Sequence, residues 1–263
     1  MNSMVFEREG DYAGAKANYK QALHIFHELG DQQGEGDTLI NLGFVNHHQG
    51  DYIDARRYFE QALDIFHLLG YQRGEGLALA FLSLTSHQLG NHDFAQQYAQ
   101  RALQITQDTG DRTIQGYALT HLGHALMARN HLTEAADFYQ QAMSLRHTLG
   151  KANLAMESLA GLAHVSLAQG DLLKALAYTE EILRHLAHNT LEGAVEPLRV
   201  YLSCIRVLQA NQDPRAKEML QRAYELLKER AAKISRKGVQ RSFLENVTAH
   251  REIACEFNRL ADS

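Results

Sequence analysis

The residues with the most chemical potential are the histidines, fifteen in a chain of 263. His121 and His124 are three apart and so share a helical face, and His164 occupies the position 40 residues after His124. A metal site needs three or four donors converging at about 2 Å. No carboxylate or cysteine is spaced to complete this set, and HExxH and Cys/His finger patterns do not occur. The pairs His24/His27 and His185/His188 read as solvated or boundary positions. Neither a metal nor a cofactor is expected. Proton sensing near neutral pH lies within the chemistry of such histidines.

Other catalytic patterns are missing. The sequence has no GxSxG, no GxxxxGK[ST] and no GxGxxG after a strand. GDQQGEG at 30–36 recurs as GYQRGEG at 70–76, which marks it as a joint between repeats and not as a phosphate loop. Arg230, Lys233, Arg236, Lys237 and Arg241 form a basic stretch, read as a solvated cap. With a net charge of −5 and a pI near 6.3, no global field favours nucleic acid or an anionic membrane. Cys204 and Cys255 stand far apart without a CxxC partner, as reduced intracellular thiols do. The first residues, MNSMVFEREG, are charged where a signal peptide is apolar, and the longest apolar run, near Leu77–Leu84, is too short for a bilayer. The expectation is a cytoplasmic, non-enzymatic chain.

The elements that must carry these side chains are set by an internal repeat of 40 residues. Gly10, Gly50, Gly90 and Gly170, with Asn130 in the missing slot, form one column; Gly30, Gly70, Gly110 and Gly150 form a second, midway between. Ala15, Ala55, Ala95, Ala135 and Ala175, then Leu42, Leu82, Leu122, Leu162 and Leu202, then Ala22, Ala62, Ala102 and Ala142, keep the same spacing. Glycine or asparagine ending an apolar-periodic run supplies the left-handed residue that stops a helix, so each unit holds two helices. Asp11, Asp31, Asp51, Asp111 and Asp171 follow the stops and are placed to cap the next helix. The alanine columns, and Gly43 and Gly123 with Ser83, Ala163 and Ser203, predict close helix approach, with Tyr19 and its equivalents filling the space beside them. Only two prolines interrupt the chain, as helix requires.

The string LGFVNHHQGDYIDARRYFEQAL, Leu42–Leu63, resembles the tetratricopeptide repeat: Leu-Gly, then Gly-x-Tyr, then spaced alanines and an aromatic. The 40-residue unit with its GD-x-x-GE joint is similar to the repeats of kinesin light chains and of bacterial multidomain regulators, large transcriptional activators and signalling ATPases that carry such arrays C-terminally. The resemblance covers the chain to about residue 233 and implies an all-α, right-handed α-solenoid: a partial unit at 1–30 and full units from about 31, 71, 111, 151 and 191. The fifth full unit slips by one residue, to Ala216 and Ala223, around Asp213-Pro214. SFLENVTAHREI at 242–253 resembles the closing helix of those bacterial arrays, predicting a C-terminal capping helix within 234–263. At the front, Gly10 matches Gly50 and Met1 matches Asn41, so the first helix lacks its leading half. That predicts a larger parent chain, or an edge around Phe6 that contacts an upstream domain or a second copy.

Arrays of this kind bind along the concave groove lined by the first helix of each pair. Helical spacing assigns to it Asp37, Ile40, Asn41, Phe44 and His47; Leu77, Ala80, Phe81, Leu84 and His87; Tyr117, Thr120, His121, His124 and Met127; Glu157, Ala160, His164 and Leu167; and Tyr201, Cys204 and Val207. No lysine or arginine falls on these positions, so a clamp for a peptide's terminal carboxylate is not expected; an apolar or amphipathic protein or peptide segment is. The first reading is a scaffold holding a partner segment in an open groove, as the regulatory module of a larger bacterial signalling or transcription protein; the alternative is a sensor whose plugged, closed superhelix changes curvature when a ligand or peptide enters and so controls an upstream effector. In either case Phe81 and Tyr117 are expected to serve binding and not folding.

Overall fold

In the computed structural model, which describes residues 12–261, every regular element is a helix. In order these are α1 (Tyr12–Leu29), α2 (Gln32–His48), α3 (Tyr52–Leu68), α4 (Gln72–Gln88), α5 (His92–Thr109), α6 (Arg112–Ala128), α7 (Leu132–Thr148), α8 (Ala152–Ala168), α9 (Leu172–Leu186), α10 (Pro197–Ala210), α11 (Arg215–Ala232), α12 (Lys237–Glu245) and α13 (Thr248–Ala261). Each helix packs on its neighbours in sequence, and α2, α4, α6, α8 and α10 also touch the next of their own kind, forming one continuous wall of an α-solenoid.

The expected stops are where the chain turns. Gly30, Gly50, Gly70, Gly90, Gly110, Asn130, Gly150 and Gly170 all have φ between +62° and +78°. At most of them the following amide bonds back to the helix, as Asp51 N–H does to the Asn46 carbonyl and Asp171 N–H to that of Ser166, both at 2.9 Å, satisfying carbonyls the helix end leaves free. Asp31, Asp51, Asp111 and Asp171 then accept a backbone N–H of the next first turn. Asp11 and Phe6, with the expected N-terminal edge, lie outside the described residues.

Packing between the helices of a pair depends on matched volumes. Phe59 of α3 fills the space that Gly43 of α2 leaves: a Cβ on Gly43 would stand 2.4 Å from the ring. In the next unit the pair is Ser83 and Ala99, with the Ser83 hydroxyl donating to the Ala95 carbonyl at 2.7 Å. Gly123 and Tyr139 restore the small–large arrangement, and Ala163 with Thr179 closes the series, both fully buried. The alanine columns from Ala55 to Ala175 and from Ala62 to Ala142 are wholly inaccessible.

Regularity ends after α9. The unit expected to begin near 191 instead has an irregular strap at 187–196, and α10 starts at Pro197, whose fixed φ suits a first helical turn. The next stop falls at Gln212, φ +56°, just before the Asp213-Pro214 slip. The single capping helix expected is two, α12 and α13, divided at Asn246–Val247. That break lets α13 lie on α10 and α11, where Phe257 stacks on Tyr224 with ring centres 3.8 Å apart. It also brings the Asn246 amide to donate to the Gly50 carbonyl at 3.1 Å, joining the last helices to the first full unit. In the basic stretch, Lys233 pairs with Glu229 and Arg241 with Glu245 one helical turn away.

Candidate functional site

The concave wall carries the expected stripe, but as a filled interior. Phe44 and Phe81 lie 3.9 Å apart between ring centres and Phe81 and Tyr117 5.3 Å apart, a row of three rings from α2, α4 and α6. Ile40 and Leu84 pack in the same cluster, with Leu77 half-buried at its margin. Thr120 and Ser158 share a hydrogen bond of 3.1 Å between α6 and α8. His47 Nδ1 pairs with Thr85 Oγ1 at 3.1 Å, His121 Nδ1 donates to the Ala80 carbonyl at 2.8 Å, and His124 Nδ1 pairs with the Tyr139 hydroxyl at 2.6 Å. The His87 ring lies 5.7 Å from that of His124. Met127, Asp37, Asn41 and His164 are half-buried.

Burial pushes these imidazoles down, His47 and His121 to about 3 and His164 to about 4. A ring in a dry environment loses the hydration that its cation needs. They are therefore neutral at neutral pH, and His47, His121 and His124 make their hydrogen bonds in that form. Among the described residues no group of three or more His, Cys, Asp or Glu side chains converges to hold a metal.

Phe81 and Tyr117 are 1% and 3% exposed, so truncating them would open the core, contrary to the sequence expectation that folding would be spared. Two arginines that the stripe did not predict stand in this interior, the first of them over the Tyr117 ring. Arg146 comes from α7, a second helix of a pair, and reaches between α6 and α8 to pair with Glu157 at 3.4 Å, over the Tyr117 ring at 5.5 Å. Its column otherwise holds Phe26, half-buried, and Phe66, Thr106 and Leu186, buried, so a cation among uncharged residues was the available signal. Burial raises the pKa of Glu157, an effect opposed by Arg146 and by backbone N–H groups of the strap. Arg199, the second, comes from α10, where Arg199, Val200 and Ser203 line the interior beside His164 and Glu157. Tyr201 does not line this interior; it is buried, with its phenol shifted upward by burial against the field of Arg222. The offset arises because the strap makes the step from Glu157 to Glu196 39 residues instead of 40.

The strap closes the concave face. Asn153 of α8 donates to the Glu192 carbonyl at 2.6 Å, and one helical turn later the Glu157 carboxylate accepts the Glu196 N–H at 2.8 Å. The Glu196 carboxylate takes hydrogen bonds from Gln88 of α4 and from Arg199 at 3.0 Å, and lies 3.9 Å from His124 Nε2. Leu191 and Ala194 belong to the C-terminal core, whereas Val195, 2% exposed, belongs to the core built from α2 to α6. The space left among His121, His124, Glu157, Glu196 and Arg199 is about 10 Å³, room for a single water.

The sequence matches the MalT-like TPR region over residues 3–250. The chain belongs to that family. Tetratricopeptide repeat families are generally non-catalytic scaffolds. Among solved structures the fold is similar to a Rap protein complexed with Competence and Sporulation Factor, at 17% identity and a TM-score of 0.64, covering 94% of this chain and 71% of that one. BtubC from P. vanneervenii matches at 17% identity and a TM-score of 0.62, over 84% of this chain and 90% of its own. A putative kinesin light chain from Podosopora anserina, with nearly identical TPR-like repeats, matches at 18% and 0.54, over 73% and 94%. No curated protein matches the sequence. No described helix is long and apolar enough to cross a membrane.

Proposed function

We propose that this array is a non-enzymatic binding module of the sensor kind: a peptide or helix of a partner protein enters the concave face, and the resulting change of curvature is passed to an effector domain. The observation that carries the reading is the strap. The face presents apolar surface and polar side chains that hold a stretch of main chain, and such a stretch lies on it, held by Asn153 and Glu157. A scaffold with a permanently open groove has no use for this closure, which favours the sensor over the scaffold. A neighbour of the same fold is complexed with a factor of its own, which agrees with this role. The setting is a cytoplasmic bacterial signalling or transcription protein, and the ligand is apolar or amphipathic in part, to match Leu77, Met127 and the place that Val195 now fills.

The test uses a displayed library of random twelve-residue peptides selected on the immobilised chain. Hydrogen exchange then maps where the selected peptides act. Protection or release centred on α4, α6, α8 and the strap is the expected outcome. Footprints confined to the outer helices α3, α5 and α7 would place the site on the convex side and end the proposal.

A further inference from the structure

We infer that the strap residues Ala194, Val195 and Glu196 are an internal stand-in for the partner, so that the concave face recognises a segment in which a β-branched aliphatic residue is followed by an acidic one. The inference rests on the reading of the concave face as the binding site and names the chemistry that site selects.

Three features of the contact support it. The main chain of the strap is read by two side chains on one face of α8: Asn153 donates to a carbonyl and Glu157 accepts an N–H, at 2.6 Å and 2.8 Å. These contacts ask only for a backbone, so any segment in that conformation satisfies them. Glu157 is itself fixed by Arg146, so the acceptor is held in place before a ligand arrives.

Selectivity comes from the two side chains that follow. Val195 leaves the half of the molecule it belongs to by sequence and packs in the core of α2 to α6. Glu196 collects Gln88 from α4 and Arg199 from α10, with His124 beside it, and so ties three helices of the wall together. A withdrawn strap leaves Gln88 as a donor without its acceptor and Glu157 without its N–H, and disturbs the first turn of α10, which Glu196 begins and where it pairs with Arg199 three residues on. Only a ligand with a carboxylate at that place, next to a buried aliphatic group, restores all of them; leaving them unmet is expensive.

The strap is also where the ring is held. Its two anchors sit in different cores, Leu191 and Ala194 in one and Val195 in the other, and beyond it the ends meet at the Asn246–Gly50 hydrogen bond and where Tyr12 packs on the C-terminal core. Occupation by a competing segment therefore loosens one of the joints that hold the end units together. A tethered competitor has an effective concentration in the millimolar range, so the free peptide is held off until its own affinity, or its concentration, exceeds that handicap.

The probe is a fluorescein-labelled peptide copying residues 190–199, TLEGAVEPLR, with blocked ends. The hosts are the intact chain, Val195→Ser and Glu196→Gln, the last as the milder variant whose folding is least disturbed; melting curves are recorded for each. The expected result is binding to both variants at least about tenfold tighter than to the intact chain, because the tethered competitor has been weakened. The same peptide with the Glu at the place of Glu196 replaced by Gln is expected to lose about tenfold in affinity, the worth of a charged hydrogen-bond acceptor. Equal, weak binding by all three folded hosts overturns the inference, and so does a Gln copy that binds as well as the Glu copy. If the copy fails while display-selected peptides still act on α4, α6 and α8, the stand-in is wrong and the site stands. If the selected peptides act on the convex helices, both fall.

Discussion

Replacing Gly161 by alanine should destabilise the array even though alanine is the better helix former. Gly161 is in the middle of α8, where the change by itself gains about 1 kcal/mol. The new Cβ would lie 2.6 Å from Cε1 and Cζ of Tyr139, well inside contact distance. The ring cannot retreat. On its other side Gly123 allows it no more room, with a Cβ there 2.7 Å away, and its hydroxyl is held by His124 at 2.6 Å. Overpacking of this kind costs about 1–3 kcal/mol, so the net loss for Gly161→Ala is up to about 2 kcal/mol. In a chain of this size each kcal/mol moves the melting temperature by roughly 2–4 °C. Gly238→Ala is the control: a Cβ there meets nothing within 4 Å, so the helix gain stands alone and α12 is stabilised by up to about 1 kcal/mol. Urea unfolding followed by circular dichroism reads both. On a Tyr139→Leu background, itself less stable than the parent, the Gly161→Ala step should turn from a loss into a gain. If Gly161→Ala stabilises the chain as Gly238→Ala does, Tyr139 is not wedged between the two glycines and the packing described here is wrong.

Tyr139→Phe should cost about 1–3 kcal/mol by leaving buried His124 Nδ1 without its partner, measured in the same urea assay, and an unchanged midpoint would show that water replaces the hydroxyl. Glu157→Ala strands the Arg146 cation and the Glu196 N–H together; a loss of about 3–5 kcal/mol is expected, and a loss below 1 kcal/mol would mean that Arg146 escapes to solvent. Acid should weaken the fold well before its carboxylates titrate. His47 and His121 are held near 3 and His250 near 4 by burial, whereas the unfolded chain takes up these protons below about 6.5. Their stabilising effect is therefore full above pH 6.5 and declines as pH falls toward 4 for His250 and toward 3 for the other two, by about 2 kcal/mol per histidine at pH 5. Urea midpoints that agree at pH 7 and pH 5 would contradict the burial of these rings. Phe81→Ala should cost about 3–5 kcal/mol in the same assay, and a parent-like midpoint would return Phe81 to an open groove.

The helices could be read from the chain because each stop is a local requirement. A left-handed turn followed by a capping carboxylate is written in two adjacent residues, and Gly50-Asp51 means the same thing in every unit. Gly43 and Gly123 were legible as places of close helix approach, but that Phe59 and Tyr139 fill the space they leave shows only in the structure. The stripe itself was legible as a direction, but its burial was not. Helical spacing places Phe81 and Tyr117 on the inner wall and says nothing of what lies against that wall, because the strap comes from a part of the chain more than 70 residues further on. Within the strap the repeat is broken: no glycine stands at 190, and Pro197 restarts the helix with the register shifted. Tyr201 was placed by the unshifted register, and Arg199 and Ser203 take the inner positions instead. Arg146 escaped because the second helices were read only for packing, although an arginine in a column of Phe66 and Leu186 is a mark of a buried ion pair. The cap was legible as helix but not as two, since the turn at Asn246 answers to Gly50, almost two hundred residues earlier.

Hydrogen exchange at the strap, with and without a saturating display-selected peptide, tests the central claim most directly. In the free chain the Glu196 amide is tied to Glu157 and Val195 is packed away, so both should exchange slowly, like the buried first helices. With peptide bound, the amides of 191–196 should exchange faster while the inner faces of α4, α6 and α8 stay protected, because the ligand has taken the place of the strap. A strap that remains protected while the peptide is bound would mean that 187–196 is permanent core and that partners bind elsewhere.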